Sequence, residues 1–206
     1  MQDWNNLKAE RSLSSQDVSQ RLVISYVLDL PFGRGKKYAS GVNGVAGGLV
    51  SGWGLDGVTT FQRGFPVKIS DGKGNSLTAL SLGTGTLRPN VVAGCDKSRS
   101  GSAASRLSEW FNTSCFTDAP AYGFGDEPRV DATLRQQGVV NFDFAAFKKT
   151  SIGERMNIEF RAEFFNIFNH PQFGPPNGTF GSGNFGVVTS TVNLPRLIQF
   201  GLKFAF

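Results

Sequence analysis

The sequence predicts an all-β fold: an antiparallel meander of about five long strands, forming part of a transmembrane barrel with long loops on one side. Three observations predict it. First, residues 196–206 alternate: Ile198, Phe200, Leu202, Phe204 and Phe206 share one parity, while Gln199, Gly201, Lys203 and Ala205 share the other. Alternate side chains of a strand point to opposite faces, so one face is greasy and the other small or polar. Second, the 206 residues include 26 glycines and 19 phenylalanines with only 18% charged residues, and few stretches follow a helical period. Third, the connections between alternating segments run short, long, short, long, as in outer-membrane barrels with short periplasmic turns and longer extracellular loops.

The first strand is expected at about 20–31, where Leu22, Ile24, Tyr26, Leu28 and Leu30 oppose Arg21, Ser25 and Asp29, with Val23 and Val27 as apolar exceptions. It ends at the glycine-rich, charged turn Pro31–Lys37. The second strand is expected at about 45–66. Leu49, Trp53, Leu55, Thr59, Phe61 and Phe65 lie on one side, and Gly48, Gly52, Gly54, Asp56, Thr60 and Gln62 on the other. Its length exceeds the about 5–6 residues of a globular strand and suits a membrane crossing.

A long irregular loop is expected over about 67–138, holding Asp71–Asn75, a Gly/Thr run from Gly83 to Thr86, and both cysteines. Within it, Ser102–Asn112 predicts one short helix capped by Ser102 or Ser105, with Leu107, Trp110 and Phe111 on one face. Cys95 and Cys115 are disulfide candidates in this polar stretch; two free thiols in a loop are the other reading.

The third strand is expected at 139–149, with Val140, Phe142, Phe144 and Ala146 opposing Asn141, Asp143 and Ala145. A tight connection follows at Ser151–Arg155. The fourth is expected at 156–168, with Ile158, Phe160, Ala162 and Phe164 opposing Asn157, Glu159, Arg161 and Glu163. A Pro/Gly loop follows from Asn169 to about Gly186, and the fifth strand is 196–206. Its row Ile198, Phe200, Leu202, Phe204 and Phe206 is the expected lipid face. Asn157, Glu159, Arg161 and Glu163 are the expected lumen lining. Two readings fit that polar row: a surface that contacts substrate, or a charge ladder that solvates the inner wall.

The chemistry-bearing motifs are sparse. His170, the single histidine, precedes Pro171 in a loop without ligands at metal spacing, and reads as a surface residue. No G-x-S-x-G or Walker A sequence occurs, and Gly33-Arg34-Gly35 reads as a turn. No catalytic residue, cofactor or metal is expected, and no enzyme. The net charge of +5 raises nucleic acid as a partner, but Lys and Arg are dispersed. Arg63–Ile69 echoes an RNA-binding strand only superficially, because Pro66 breaks it. No nucleic-acid partner is expected. Trp53, Tyr26 and Tyr38 fit interfacial aromatic girdles or ordinary strand preference. No run of 18 apolar residues is present, so no transmembrane helix is expected. Met1–Asn6 is polar and carries no signal peptide, which leads to the expectation that the chain is a carboxy-terminal piece of something longer.

Several segments carry a resemblance. Ala9-Glu10-Arg11, Arg21–Tyr26, Leu30–Gly33, Gly57–Pro66, Trp110–Asn112 with Cys115-Phe116, Asn141–Asp143 and above all Arg161–Phe173 resemble the carboxy-terminal barrel of TonB-dependent receptors of the Oar-like type. These are often named for a carboxypeptidase-regulatory-like domain at their amino end. The resemblance implies a bacterial outer-membrane receptor or transporter barrel of about 22 strands. It implies outer-membrane lipid and the barrel-assembly machinery as partners, with the terminal strand as assembly signal. The amino-terminal barrel strands, the plug and the TonB-contacting segment would be missing here, so TonB would act only through that absent region. About five strands cannot close, since the smallest such barrels have about 8, and the isolated chain is not expected to transport. The rival expectation is a secreted or surface β-rich adhesion module. It would expose polar residues at Ile198, Phe200, Leu202 and Phe204, or bury these positions under a second sheet.

Overall fold

The computed structural model describes residues 1–74, 86–153 and 155–206. The chain divides into two compact units. One comprises Arg21–Gln62, Val139–Pro171 and Leu194–Phe206; the other comprises Met1–Gln20, Arg63–Gly138 and Gln172–Asn193.

The first unit is an antiparallel sheet of five strands. They are β1 (Arg21–Asp29), β2 (Trp53–Gln62), β3 (Val139–Ile152), β4 (Met156–Phe165) and β5 (Leu197–Ala205). Each pairs with its neighbour in chain order, so the sheet is a meander with β1 and β5 at its edges. Each of the five expected strands has its counterpart here. The fourth stops early, at Phe165, because Asn166 takes a left-handed conformation with φ 50°. Asn166 turns the chain by accepting a hydrogen bond from the His170 N–H (2.9 Å) and donating to the His170 carbonyl (3.1 Å).

The expected start of the second strand needs correction. Gly44–Val50 forms helix α1, and the strand begins at Trp53. The glycines at both ends explain this: Gly44 (φ +66°) and Gly52 (φ +81°) lie in the left-handed region, where an extended run cannot continue. Ser51 closes the helix, with its N–H (3.0 Å) and hydroxyl (2.7 Å) both donating to the Gly47 carbonyl. The connection between β1 and β2 is therefore longer than the expected short turn. The β3–β4 connection is tight and includes Gly153 at φ +64°; Glu154 lies outside the described residues.

The second unit corrects the expectation of an irregular loop over 67–138. Its core contains Val67, Ile69, Trp110, Phe111, Cys115, Phe116, Leu134, Phe180 and Val188. Four short aromatic contacts tie it together: Phe185 meets Phe111 (5.2 Å), Phe116 (5.5 Å) and Phe180 (5.6 Å) edge-on, and Phe111 meets Phe116 at 5.7 Å. Cys95 and Cys115 are joined by a disulfide with their Cα atoms 5.5 Å apart. Two-strand pairings supply local order: Pro66–Val67 with Asp131–Arg135, Asn90–Val91 with Phe116–Thr117, and Ser70–Asp71 with Thr179–Phe180.

The short helix expected at Ser102–Asn112 is reduced to one 3₁₀ turn, Ala104–Arg106. Ser102 does accept from the Ser105 N–H (3.3 Å). Beyond it Trp110 and Phe111 are both buried. The Trp110 indole donates to the Arg135 carbonyl at 2.8 Å. Of the Gly/Thr run expected at Gly83–Thr86, all but Thr86 lies outside the described residues. So does Asn75 of the Asp71–Asn75 stretch.

Candidate functional site

Directly opposed residues of neighbouring strands share a sheet face, so the register sorts every side chain of the meander. Across the sheet, Tyr26 opposes Gly57, Gly57 opposes Phe144, Phe144 opposes Phe164, and Phe164 opposes Ile198. Leu28, Leu55, Ala146, Ala162 and Phe200 form the next row. One face therefore carries Leu22, Ile24, Tyr26 and Leu28; Leu55 and Phe61; Val140, Phe142 and Phe144; Ile158, Phe160 and Phe164; and the β5 row. These side chains touch along the face. Phe160 stacks on Phe200 (6.1 Å), and Phe61 meets Phe142 edge-on (5.6 Å). They are nonetheless open to the surroundings: Phe200 is 69% exposed, Leu202 59% and Phe204 57%. Soluble monomers rarely show contiguous apolar patches of this kind.

The opposite face carries the polar row. Asn157, Glu159, Arg161 and Glu163 all lie there, with Asp56 and Lys203. Arg161 is its hub: it reaches Asp56 (2.9 and 3.1 Å), Glu163 (3.1 Å) and Glu159 (3.4 Å). Asn157 accepts from the Ser151 hydroxyl at 2.8 Å. Beneath the guanidinium lies Phe147, with its ring centroid 5.7 Å away and only 4% of the residue exposed. The ring occupies the space above Gly54, where any Cβ would run into it. The sequence signalled Glu159 and Glu163 through their spacing from Arg161; alternation placed Asp56 on the non-greasy side of its strand but gave no signal that it pairs with Arg161.

Trp53 and Lys148 oppose each other on the apolar face, at its α1 end. The Lys148 ammonium donates to the Ser51 (2.6 Å) and Gly48 (2.7 Å) carbonyls, and the Trp53 indole donates to the Leu49 carbonyl (2.8 Å). Both side chains keep an apolar body on the greasy face and turn a polar tip off it. Tyr26 sits in mid-strand against Gly57, whereas Tyr38 lies in the β1–β2 connection beside Phe32 (5.7 Å). Depth along the strand thus separates Trp53, at an end of the band, from Tyr26 within it. His170 is exposed, with its ring near Phe168 (5.9 Å) and Phe142 (6.3 Å).

A family model described as "outer membrane beta barrel domain" matches residues 1–199. The chain belongs to that family. No curated protein and no solved structure matches it.

One measurable property of an outer-membrane barrel domain is strand tilt, about 35–45°. Tyr26 is the third of four apolar residues on β1, yet its row reaches β5 at Ile198, the first of four. The band has drifted by two same-face positions, about 13 Å at roughly 3.3 Å per residue, across four strand steps of about 4.8 Å. The corresponding tilt is about 35°. The apolar band of this domain is thus oblique to its own strands by the amount a tilted barrel wall requires. Among the described residues no helix is long and apolar enough to cross a membrane, which leaves strand crossing unaffected.

Proposed function

We propose that this barrel domain is a section of the wall of a TonB-dependent-receptor-type transport barrel in the bacterial outer membrane, of the Oar-like kind. The supporting observation is the register, which gathers most of the bulky apolar residues of the five strands on one exposed face and Arg161 with its carboxylates on the other. Lipid covers Ile198, Phe200, Leu202, Phe204 and Phe206, and the lumen receives Asn157, Glu159, Arg161 and Glu163. An adhesion module would need polar residues on that exposed face, and none of the four β5 positions between 198 and 204 supplies one.

The two edges favour a section rather than a closed wall. β1 and β5 each pair on one side only among the described residues. Unpaired backbone groups are not tolerated in hydrocarbon, so further strands complete both edges. The plug and the segment that meets TonB are supplied by other residues of such a receptor. β5 is the strand offered to the barrel-assembly machinery, and the domain turns over no substrate.

The test is environmental. Single cysteines at Phe200 and Gln199, carrying a fluorophore in the barrel assembled in vesicles, should differ: brominated lipid quenches the label at 200 and leaves the label at 199 bright. Equal quenching at both positions would refute the wall. For the section claim, the purified chain alone should remain protease-sensitive in liposomes. A heat-resistant, protease-protected species formed by it alone would show a self-sufficient barrel instead.

A further inference from the structure

Lys97, Glu127 and Asp131 meet inside the second unit. Glu127 is fully buried, the Asp131 side chain is 1% exposed and that of Lys97 14%. The Lys97 ammonium lies 3.2 Å from Glu127 Oε2 and in direct contact with Asp131 Oδ2. One cation thus faces two carboxyl groups, and Glu127 Oε1 is buried without a hydrogen-bond partner among the described residues. Ions held this far from water carry a desolvation penalty that their attraction need not repay.

The Asp131 carboxyl is polarised. Its Oδ1 accepts from the Thr133 N–H (2.7 Å), the Thr133 hydroxyl (2.7 Å) and the Leu134 N–H (3.2 Å). Three fixed donors on one oxygen would stabilise negative charge developing there, while Oδ2 faces the amine. Lys97 is held in place by its own backbone: its carbonyl accepts from Asn112 N–H (2.9 Å), and it lies two residues from the bridged Cys95. The Phe116 ring, 5.9 Å from the ammonium, forms an apolar wall. Burial, with the Asp131 carboxylate beside it, raises Glu127 to about 7, so a protonated carboxyl is available at neutral pH.

We propose that Lys97 and Asp131 condense to an intramolecular amide, with Glu127 as the proton relay. Lys97 first passes one proton to Asp131 Oδ2. The freed amine lone pair then attacks Asp131 Cγ, the N–C bond forms, and the carbonyl electrons move onto Oδ1 among its three donors. Glu127 gives its proton to Oδ2 and takes one from the attached nitrogen. The Cγ–Oδ2 bond breaks, water leaves, the carbonyl re-forms at Oδ1, and Glu127 ends as it began. Ammonium and carboxylate thereby become one neutral amide and one water, with no oxidant or cofactor. Removing two buried charges supplies driving force, and held proximity supplies rate. The product would be a cross-link in the loop unit that reducing agents cannot open.

Intact mass of the full chain, with the disulfide reduced, tests this. The expected mass is one water below that of the sequence, and digestion should yield a branched peptide joining Lys97 to Asp131. A mass equal to that of the sequence would overturn the proposal. Glu127→Gln should stay at the unreacted mass while retaining the Cys95–Cys115 bridge; complete cross-linking in that variant would remove Glu127 from the mechanism. Asp131→Asn offers an independent readout, because its leaving group is ammonia. Loss of one ammonia supports the assignment, whereas loss of one water from that variant would place the link on another carboxylate and overturn it.

Discussion

Arg161 on β4 is paired with Asp56 on β2, two strands away, across the intervening β3. Between them on β3, Phe147 lies beneath the guanidinium and Ala145, which opposes both Asp56 and Glu163, is 5% exposed. Tying alternate strands adds a side-chain restraint on shear to the one that the register of the greasy face already supplies. A double-mutant cycle with Arg161→Ala and Asp56→Ala, read by urea unfolding of the assembled barrel, should give a coupling of about 1 kcal/mol, the upper part of the range for partly exposed pairs. Additive effects within about 0.3 kcal/mol would show that the pair is incidental.

Adjacent positions on β5 should respond in opposite ways to the same charge. Phe200→Lys places an ammonium on the apolar face and should cost about 2–4 kcal/mol if the side chain lies near the bilayer midplane. Gln199→Lys places it on the polar face, opposite Glu163, and should be near neutral. Folding titrations into lipid vesicles measure both. Equal costs at the two positions would mean that parity does not separate lipid from lumen.

The parity of all five strands was legible because side chains alternate with a period of two whatever the tertiary context. The α1 segment was not, because Gly44-Val45-Ala46-Gly47-Gly48-Leu49-Val50 carries too few polar residues to distinguish an alternating strand from a helical turn. The compact loop unit was hidden for another reason. Ile69, Phe111, Leu134 and Phe180 converge from well-separated stretches, and no local period reports on such contacts. Arg161 shows the same boundary at the polar row: its partners Glu159 and Glu163 lie two residues either side on its own strand, while Asp56 lies 105 positions away.

The disulfide should matter most to the loop unit. Cys115 is fully buried beside Phe111 and Phe116, and the bridge closes a loop with sequence separation 20. Chain-entropy arguments give about 3 kcal/mol for a loop of that size. Cys95→Ala with Cys115→Ala should therefore speed hydrogen exchange through Trp110–Phe116 while leaving the β3–β4 ladder protected. Uniform loss of protection in both units would show instead that they unfold together.

Acid should loosen the second unit through Glu10. Its carboxylate forms a two-pronged pair with Arg88 (2.9 and 3.0 Å), and both side chains are 4% exposed. It also accepts from the Asp3 N–H (3.2 Å). The hydrogen bonds from Arg88, chiefly, hold Glu10 down from 4.5 to about 2. A carboxyl depressed in the folded state contributes stability that is fully present above its unfolded value and lost as pH falls through its folded value. The window is therefore pH 4.5 down to about 2, and the loss amounts to at most about 3 kcal/mol. Glu10→Gln should be destabilised at neutral pH, because it leaves Arg88 as a buried charge without its counter-ion, and should show a flatter profile across the window. Hydrogen exchange in Leu87–Val91 as a function of pH, in wild type and variant, checks this; parallel profiles would remove Glu10 as the acid-sensitive group.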